Sequence, residues 1–365
     1  NCRELYIRRF VIYFTIFNLL IVDPLYADEL EEDLITSNYY ISYDFTHDKI
    51  LFSKNINEKI YPASLTKIMT AILLLDKYKL HDSIVIKYPI NYKNVGKVAY
   101  IKENEEITIE NLLELLLVYS ANDAAYIAAI AISNNIDEFL YLMNEKAKEL
   151  NMLNTNFANP DGIDQDNHYT TIMDLLKLTI NAIQNKELLT ILSKSEFISE
   201  SSGVEKIYNN TNLLLNEGFV GVKTGWTDKA GLTFIGFNLN NNRQIVTIVN
   251  KSQVDENKYN HFSDTKILYK LSYDSFKNYN LIDKGENIYT IRNSNQIYIF
   301  KSDQQWNEFI NIYKDVDLKL DSLEDNLFKI KFNEYYKNYK IKKSDTTIKW
   351  NFNPIKIFKI FANNK

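Results

Sequence analysis

The stretch Tyr61-Pro62-Ala63-Ser64-Leu65-Thr66-Lys67-Ile68-Met69-Thr70 sets a hydroxyl and an amine three residues apart at the start of an apolar helical pattern. Ile68, Ala71, Ile72 and Leu75 recur on one face over 64–80, and Pro62 stands just before, where its missing N–H is tolerated. Ser64 is therefore expected at a helix N-terminus. Residues three apart share a helix face, so the amine of Lys67 can reach the hydroxyl of Ser64. That hydroxyl needs a base to become a nucleophile. Lysine can be that base only if its pKa falls from about 10.4 to roughly 7–8, a shift worth about 4 kcal/mol. Burial and a second cation both push that way.

Two further strings complete a covalent serine site. In Ser120-Ala121-Asn122, Ser120 can relay a proton to a departing amine, and Asn122 can bond both Lys67 and a substrate peptide group. In Lys223-Thr224-Gly225, Lys223 is the expected second cation and a clamp for a substrate carboxylate. Thr224 adds a hydroxyl, and Gly225 is expected to let substrate backbone lie against a strand. The tetrahedral oxyanion needs backbone donors, expected at the N–H groups of Ser64 and Trp226.

The strings differ in specificity. Ser-x-x-Lys recurs at Ser263-Asp264-Thr265-Lys266, and Ser-x-Asn at Ser53-Lys54-Asn55 and Ser133-Asn134-Asn135, so neither decides alone. Lys-Thr-Gly occurs once. Glycine is scarce, 9 in 365 residues, where average usage would give roughly 25. Gly218, Gly221, Gly225, Gly231 and Gly236 nevertheless gather around Lys223, which suggests a site at a sheet edge as well as hairpin turns. Ser263 has a surface-helix context and no companions.

Outward from these motifs, residues 38–46 and 50–53 alternate like a β-hairpin. Residues 108–189 read as mostly helical, interrupted by Asn159-Pro160-Asp161-Gly162. Residues 219–224, 232–239 and 244–249 read as strands, the last two joined by an asparagine-rich turn. The chain thus leaves a sheet for a helical lobe and later rejoins it. A helix over about 258–276 precedes short alternating runs at 288–291, 296–300, 317–320 and 327–332, which suggest a small β-rich domain beginning near Asn280.

The termini carry their own signals. Arg3, Arg8 and Arg9, an apolar run over 10–22 and Leu25-Tyr26-Ala27 read as a secretory signal ending at Ala27. Export to the periplasm or the outer face of the cytoplasmic membrane follows from it. The lone cysteine, Cys2, falls inside that segment. Residues 354–362 pattern as a short helix suited either to a membrane surface or to packing on its own domain. The net charge of -5, with lysines mixed among acids, argues against a nucleic-acid partner. The histidines His47, His81, His168 and His261 lack metal spacing and read as structural, so neither metal nor cofactor is expected. His168 and Asp228 are candidates for supporting roles.

Taken with their flanks, these motifs resemble the D-alanyl-D-alanine carboxypeptidases, low-molecular-mass penicillin-binding proteins, whose motif set is shared with class A β-lactamases. The resemblance runs over about 35–275. It rests on 61–70, Ser120-Ala121-Asn122-Asp123-Ala124-Ala125, Asn159-Pro160-Asp161-Gly162 with His168-Tyr169-Thr170-Thr171, Asn210-Thr211-Asn212, and 223–231. It implies an α+β fold: a DD-peptidase/β-lactamase-like antiparallel sheet flanked by helices, with a helical lobe and a small β-rich C-terminal domain. The implied division is a signal peptide over 1–27, a catalytic domain over 28–279, a β-rich domain over 280–350 and a membrane-anchoring tail over 351–365. The implied activity is removal of the terminal D-alanine from peptidoglycan stem peptides through an acyl-enzyme on Ser64, with penicillins and other β-lactams as inhibitors of the same serine.

Three positions depart from relatives. Ala121 stands where several have glycine, Trp226 where some have histidine, and Thr211 where some have arginine, so carboxylate binding leans on Lys223 and Thr224. A class A β-lactamase would need a carboxylate to activate the deacylating water. The one Glu-x-x-x-Asn between the second and third motifs, Glu205 to Asn209, lies in a strand run, the wrong place. An endopeptidase of the same family and a catalytically inactive peptidoglycan-binding protein are the alternatives, the intact site residues weighing against the second.

Overall fold

Tyr40 and Ile41 are neighbours in the chain and belong to different hydrophobic clusters, because successive strand side chains point to opposite faces. That alternation shows how the main sheet is built. The computed structural model describes residues 32–340, apart from 90–91, 241–242, 255, 257–258, 286, 294–295, 302–304, 312–317, 325–326 and 333–334. The expected signal segment, the centre of the asparagine-rich turn and the expected helix over 354–362 lie outside the described residues.

Strands β1 (Tyr39–Asp44) and β2 (Lys49–Lys54) form the expected hairpin. A 3-10 turn (Ala63–Thr66) leads into helix α1 (Lys67–Lys77). A short ribbon of β3 (Ser83–Val85) and β4 (Glu106–Thr108) precedes α2 (Ile109–Leu117), α3 (Asn122–Ile132), α4 (Ile136–Glu149), α5 (Ile172–Gln184) and α6 (Lys186–Leu192). Four of these starts carry side-chain caps. Thr108, Asn135, Thr171 and Asn185 each accept a hydrogen bond from an N–H of the first helical turn, satisfying groups that the helix itself leaves open.

After a hairpin of β5 (Glu196–Ser199) and β6 (Lys206–Asn209), the chain returns to the sheet through β7 (Phe219–Thr227), β8 (Gly231–Asn240) and β9 (Arg243–Ser252). The five strands are antiparallel in the order β2-β1-β9-β8-β7, so β7 is an edge. Arg243 reaches across the sheet to the fully buried Asp44, Nη2 to Oδ2 at 3.0 Å, tying β9 to β1 where the returning chain closes on the first hairpin.

One face, with Ile41, Val222, Ile235, Val246 and Ile248, packs with α1 to α6. The opposite face, with Tyr40, Phe219, Phe234 and Val249, packs with Phe262, Leu268 and Leu271 of α7 (Asn260–Ser275). The sheet is thus covered on both sides, and the helical lobe falls between its second and third strands in sequence.

Among the described residues, those up to Ser272 make one compact unit and those from Tyr273 belong to another. The second is β-rich among the described residues. β10 (Phe276–Ile282), β11 (Asn287–Asn293), β12 (Gln296–Lys301), β13 (Trp306–Asn311), β14 (Leu318–Glu324), β15 (Leu327–Phe332) and β16 (Tyr335–Lys340) pair antiparallel as β10-β13, β11-β12 and β14-β15-β16. Its first strand starts at Phe276, ahead of the expected Asn280, and Phe276 and Ile282 of β10 and Trp306, Phe309 and Ile310 of β13 are buried. No helix among the described residues is long and apolar enough to cross a membrane.

Candidate active site

Ser64 lies within the 3-10 turn before α1, not in the α-helix itself, and keeps its place at the N-terminal end. Two backbone approaches hold that turn. Ala63 adopts φ 49°, a conformation non-glycine residues rarely take. Gly162, at φ +92°, lies so close beneath it that a Cβ there would stand 1.8 Å from the carbonyl oxygen of Ala63. The Asn159 side chain fixes this Asn-Pro-Asp-Gly turn by accepting from the N–H of Gly162 at 2.7 Å, while Thr70 of α1 donates to the carbonyl of Pro160 at 2.7 Å.

The Lys67 amine is fully buried and donates to three groups: Ser64 Oγ at 2.8 Å, Asn122 Oδ1 at 2.7 Å and the carbonyl oxygen of Asp161 at 2.8 Å. The orientation of the Asn122 amide is set from its other end, where Nδ2 donates to the carbonyl of Val95 at 2.8 Å. Of the three acceptors facing Lys67, only Ser64 can therefore also donate a proton. A neutral Lys67 keeps its two hydrogen bonds to Asn122 and Asp161 and turns its lone pair toward the serine hydroxyl.

Burial lowers the Lys67 pKa to about 8; the Asp161 carboxylate acts against this, Lys97 adds to it, and Asp123 again opposes. Lys97 thus joins the expected Lys223 as a cation that disfavours the charged form of Lys67. Lys223 is itself buried and held well below the usual lysine range by burial, then by Lys67 and Lys97. Its amine donates to the carbonyl of Thr224 at 3.1 Å. Thr224 Oγ1 donates to Thr211 Oγ1 at 2.6 Å, so the two threonine hydroxyls sit together.

Gly225 is also kept small by the fold itself. A Cβ there would stand 2.8 Å from Thr233 Cγ2, 3.0 Å from Ala63 Cβ and 3.1 Å from the backbone nitrogen of Ser64. Its missing side chain thus makes room for the nucleophile's own turn. The same closeness brings β7 against the Ser64 amide, with Trp226 next along the strand and its side chain half exposed. Ser120 is buried, two residues before Asn122, and its φ of 71° is a second left-handed non-glycine conformation at the site.

Residues outside the three motifs hold these groups in place. Asp123, fully buried, accepts from the N–H groups of Ala99 at 3.0 Å, Ile101 at 3.1 Å and Ala124 at 3.1 Å. This anchors the segment whose Val95 and Lys97 carbonyls receive Asn122. Asp164 accepts from Thr227 Oγ1 at 2.7 Å and the Lys229 N–H at 2.9 Å, joining the end of β7 to the 159–164 loop; the supporting role considered for Asp228 falls to it. Asp123 follows Asn122 at a helix start, a detectable signal, whereas nothing local marked Asp164 or Lys97.

Buried His168 receives the Ala158 N–H on Nδ1 at 2.9 Å, so Nε2 carries the hydrogen and donates to Thr66 Oγ1 at 2.9 Å. Burial lowers its pKa to about 4, which keeps it neutral. It supports the Ser64 turn and stands outside the reacting groups. Ser263 and Lys266 lie exposed on α7, Lys266 pairing with Glu217 at 3.3 Å, and Ser133 bonds the carbonyls of Ala129 and Asn135. None of them joins the cluster. Among the described residues no group of three or more His, Cys, Asp or Glu side chains could hold a metal ion.

The profile of the family described as "D-alanyl-D-alanine carboxypeptidase" matches residues 27–253. The D-alanyl-D-alanine carboxypeptidase DacF of Bacillus subtilis is 36% identical over 195 residues, covering 50% of this chain and 49% of that protein. A D-alanyl-D-alanine endopeptidase of Haemophilus influenzae is 32% identical over 205 residues, 54% of this chain and 69% of that protein. The crystal structure of penicillin-binding protein D2 from Listeria monocytogenes, in a cefotaxime-bound form, superposes with a TM-score of 0.58 at 26% identity, covering 66% of this chain and 98% of that one. The chain spans about half the length of the Bacillus relative.

Proposed function

The family profile spans more than half of its length, so the chain belongs to the D-alanyl-D-alanine carboxypeptidases, low-molecular-mass penicillin-binding proteins, and on that premise we propose that it removes the terminal D-alanine from peptidoglycan stem peptides through an acyl-enzyme on Ser64. The observation that carries this reading is Lys67 Nζ, 2.8 Å from Ser64 Oγ, with its other two bonds going to acceptors that cannot donate.

In this reading a neutral Lys67 takes the Ser64 proton as Oγ attacks the carbonyl carbon between two D-alanines. The N–H groups of Ser64 and Trp226 receive the oxyanion, a role whose loss costs roughly 3–4 kcal/mol per donor in acyl-transfer enzymes. When the C–N bond breaks, the proton on Lys67 passes by way of Ser120 to the departing amine. D-alanine leaves, and water hydrolyses the ester. Lys223 and Thr224 bind the terminal carboxylate, whose charge offsets the penalty that holds the Lys223 pKa down. Asn122 orients the peptide as well as Lys67. A β-lactam offers a reactive amide carbonyl and a carboxylate to the same groups, so Ser64 is the proposed site of acylation.

The substrate and the amino-terminal signal together support export, to the periplasm or the outer face of the cytoplasmic membrane. We assign catalysis to 28–279 and propose that the β-rich part and the tail over 351–365 hold it near the membrane.

The endopeptidase similarity favours a second reading, cleavage of cross-links between stem peptides. Both are tested by giving the purified protein a peptide ending in Lys-D-Ala-D-Ala or a cross-linked dimer, with free D-alanine and dimer cleavage measured. D-alanine release supports the carboxypeptidase; dimer cleavage alone favours the endopeptidase. Failure of both, with no labelling by a fluorescent penicillin, would leave only the inactive binding protein.

A further inference from the structure

Two lysines outside the motifs gather beside the cleft with no anion to hold them there. The Lys97 ammonium lies 4.0 Å from the centroid of the Tyr119 ring, and the Lys206 ammonium lies 5.8 Å from that ring and 4.8 Å from Tyr208. The two rings meet edge to face at 4.7 Å. Three separate elements supply the cluster: the segment before Asp123, the turn after α2, and β6. Aromatic faces attract cations, which explains how like charges are brought together. It does not explain why two are. Among the described residues neither lysine pairs with a carboxylate, whereas nearby Lys194 pairs with Glu110 at 2.8 Å and Lys102 with Glu105 at 3.6 Å.

The cluster borders the reacting groups. The Lys97 carbonyl accepts from the Asn122 N–H at 2.7 Å, and Tyr119 immediately precedes Ser120. The Thr211 N–H donates to the Val118 carbonyl at 3.2 Å, so the paired hydroxyls of Thr211 and Thr224 lie one residue away from the same ring. Both lysines reach solvent, and partial burial and then the Lys206 charge lower the Lys97 pKa to about 8. Two cations beside a cleft, with no carboxylate paired to either among the described residues, raise the local positive potential and attract negative charge.

We propose that Lys97 and Lys206, seated on Tyr119 and Tyr208, form an anion subsite that takes a carboxylate of the peptide substrate. The inference rests on the proposed peptidase reading and deepens it. The terminal carboxylate is assigned to Lys223 and Thr224, which leaves an acidic side chain on the residue before the scissile pair as the carboxylate read here; the free C-terminus is the alternative source.

Equilibrium binding to the full chain carrying Ser64→Ala, which removes turnover, separates these sources. Four peptides ending in D-Ala-D-Ala are titrated, with Glu or Gln before the pair and a free or amidated C-terminus. Lys97→Met and Lys206→Met are then added singly and together, with thermal melting as the check on folding. Each substitution is expected to weaken binding roughly fivefold, and the loss should vanish with the peptides lacking the carboxylate that the subsite reads. Unchanged affinity for all four peptides, or an equal loss with all four, overturns the subsite. Release of D-alanine by the parent protein, measured in parallel, keeps the peptidase reading standing in either case. No binding of any peptide and no release overturns both.

Discussion

A lysine can act as a base only where the protein makes its charged form unfavourable, and here burial does most of that work. With a Lys67 pKa of about 8 and the neutral amine as the active form, acylation by a penicillin should rise with pH up to about 8 and level off above it. A stopped-flow pH series checks this; a rate independent of pH between 6 and roughly 9 would contradict it. Lys67→Arg keeps the charge and cannot release the proton, so acylation should fall by about 10³-fold. Lys223 bears a related cost. Its folded pKa lies below its unfolded one, so between them the unfolded chain binds more protons and stability rises with pH. The buried lysine is destabilising through that window, increasingly so as pH falls, and fully so below it. Lys223→Met should therefore raise the melting temperature at neutral pH, by about 2–4 °C per kcal/mol gained, while weakening substrate binding. The gain should shrink as pH approaches the ordinary lysine value, and a lower melting temperature at pH 7 would contradict this account of its burial.

At the scale of elements, the site is made by the close approach of three backbones: the 63–66 turn, the 159–164 loop and β7. Gly225→Ala would set a methyl 3.0 Å from Ala63 Cβ and 3.1 Å from the Ser64 amide, displacing the nucleophile's turn. Acylation should fall at least about tenfold while melting changes by less than about 2 kcal/mol, measured by penicillin labelling and thermal unfolding. Labelling at the parent rate would show that the strand and the turn are independent. Much of this layout was legible beforehand. The hairpin of β1 and β2, the helical lobe and the three returning strands each carry a period of 2 or 3.6 that burial on one face imposes; Lys67 meets Ser64 as their spacing implied, and Asn122 as the motif set led us to expect. What escaped was long-range. Asp164 bonds residues 63 and 65 positions away, and Lys97 acts from a segment without regular structure. Gly225 was singled out for the substrate's approach; its crowding by Ala63 and Ser64, far away in sequence, was not legible.

At the scale of the whole molecule, every residue of the candidate site falls in the unit of residues 29–272, between a sheet covered on both faces and its helical lobe. A fragment of 29–275, which retains all of α7, should fold and be acylated by a penicillin at a rate within about threefold of the full chain. A fragment that is folded by circular dichroism yet unlabelled would show that the β-rich part contributes to the chemistry. The account's central claim is that Ser64 carries the acyl group. The most direct test is mass spectrometry of the full chain after brief exposure to a penicillin, with proteolytic mapping of the adduct. The account predicts one added penicillin mass, on the peptide containing Ser64, absent from Ser64→Ala; an adduct that persists in Ser64→Ala, or maps to another residue, would contradict it.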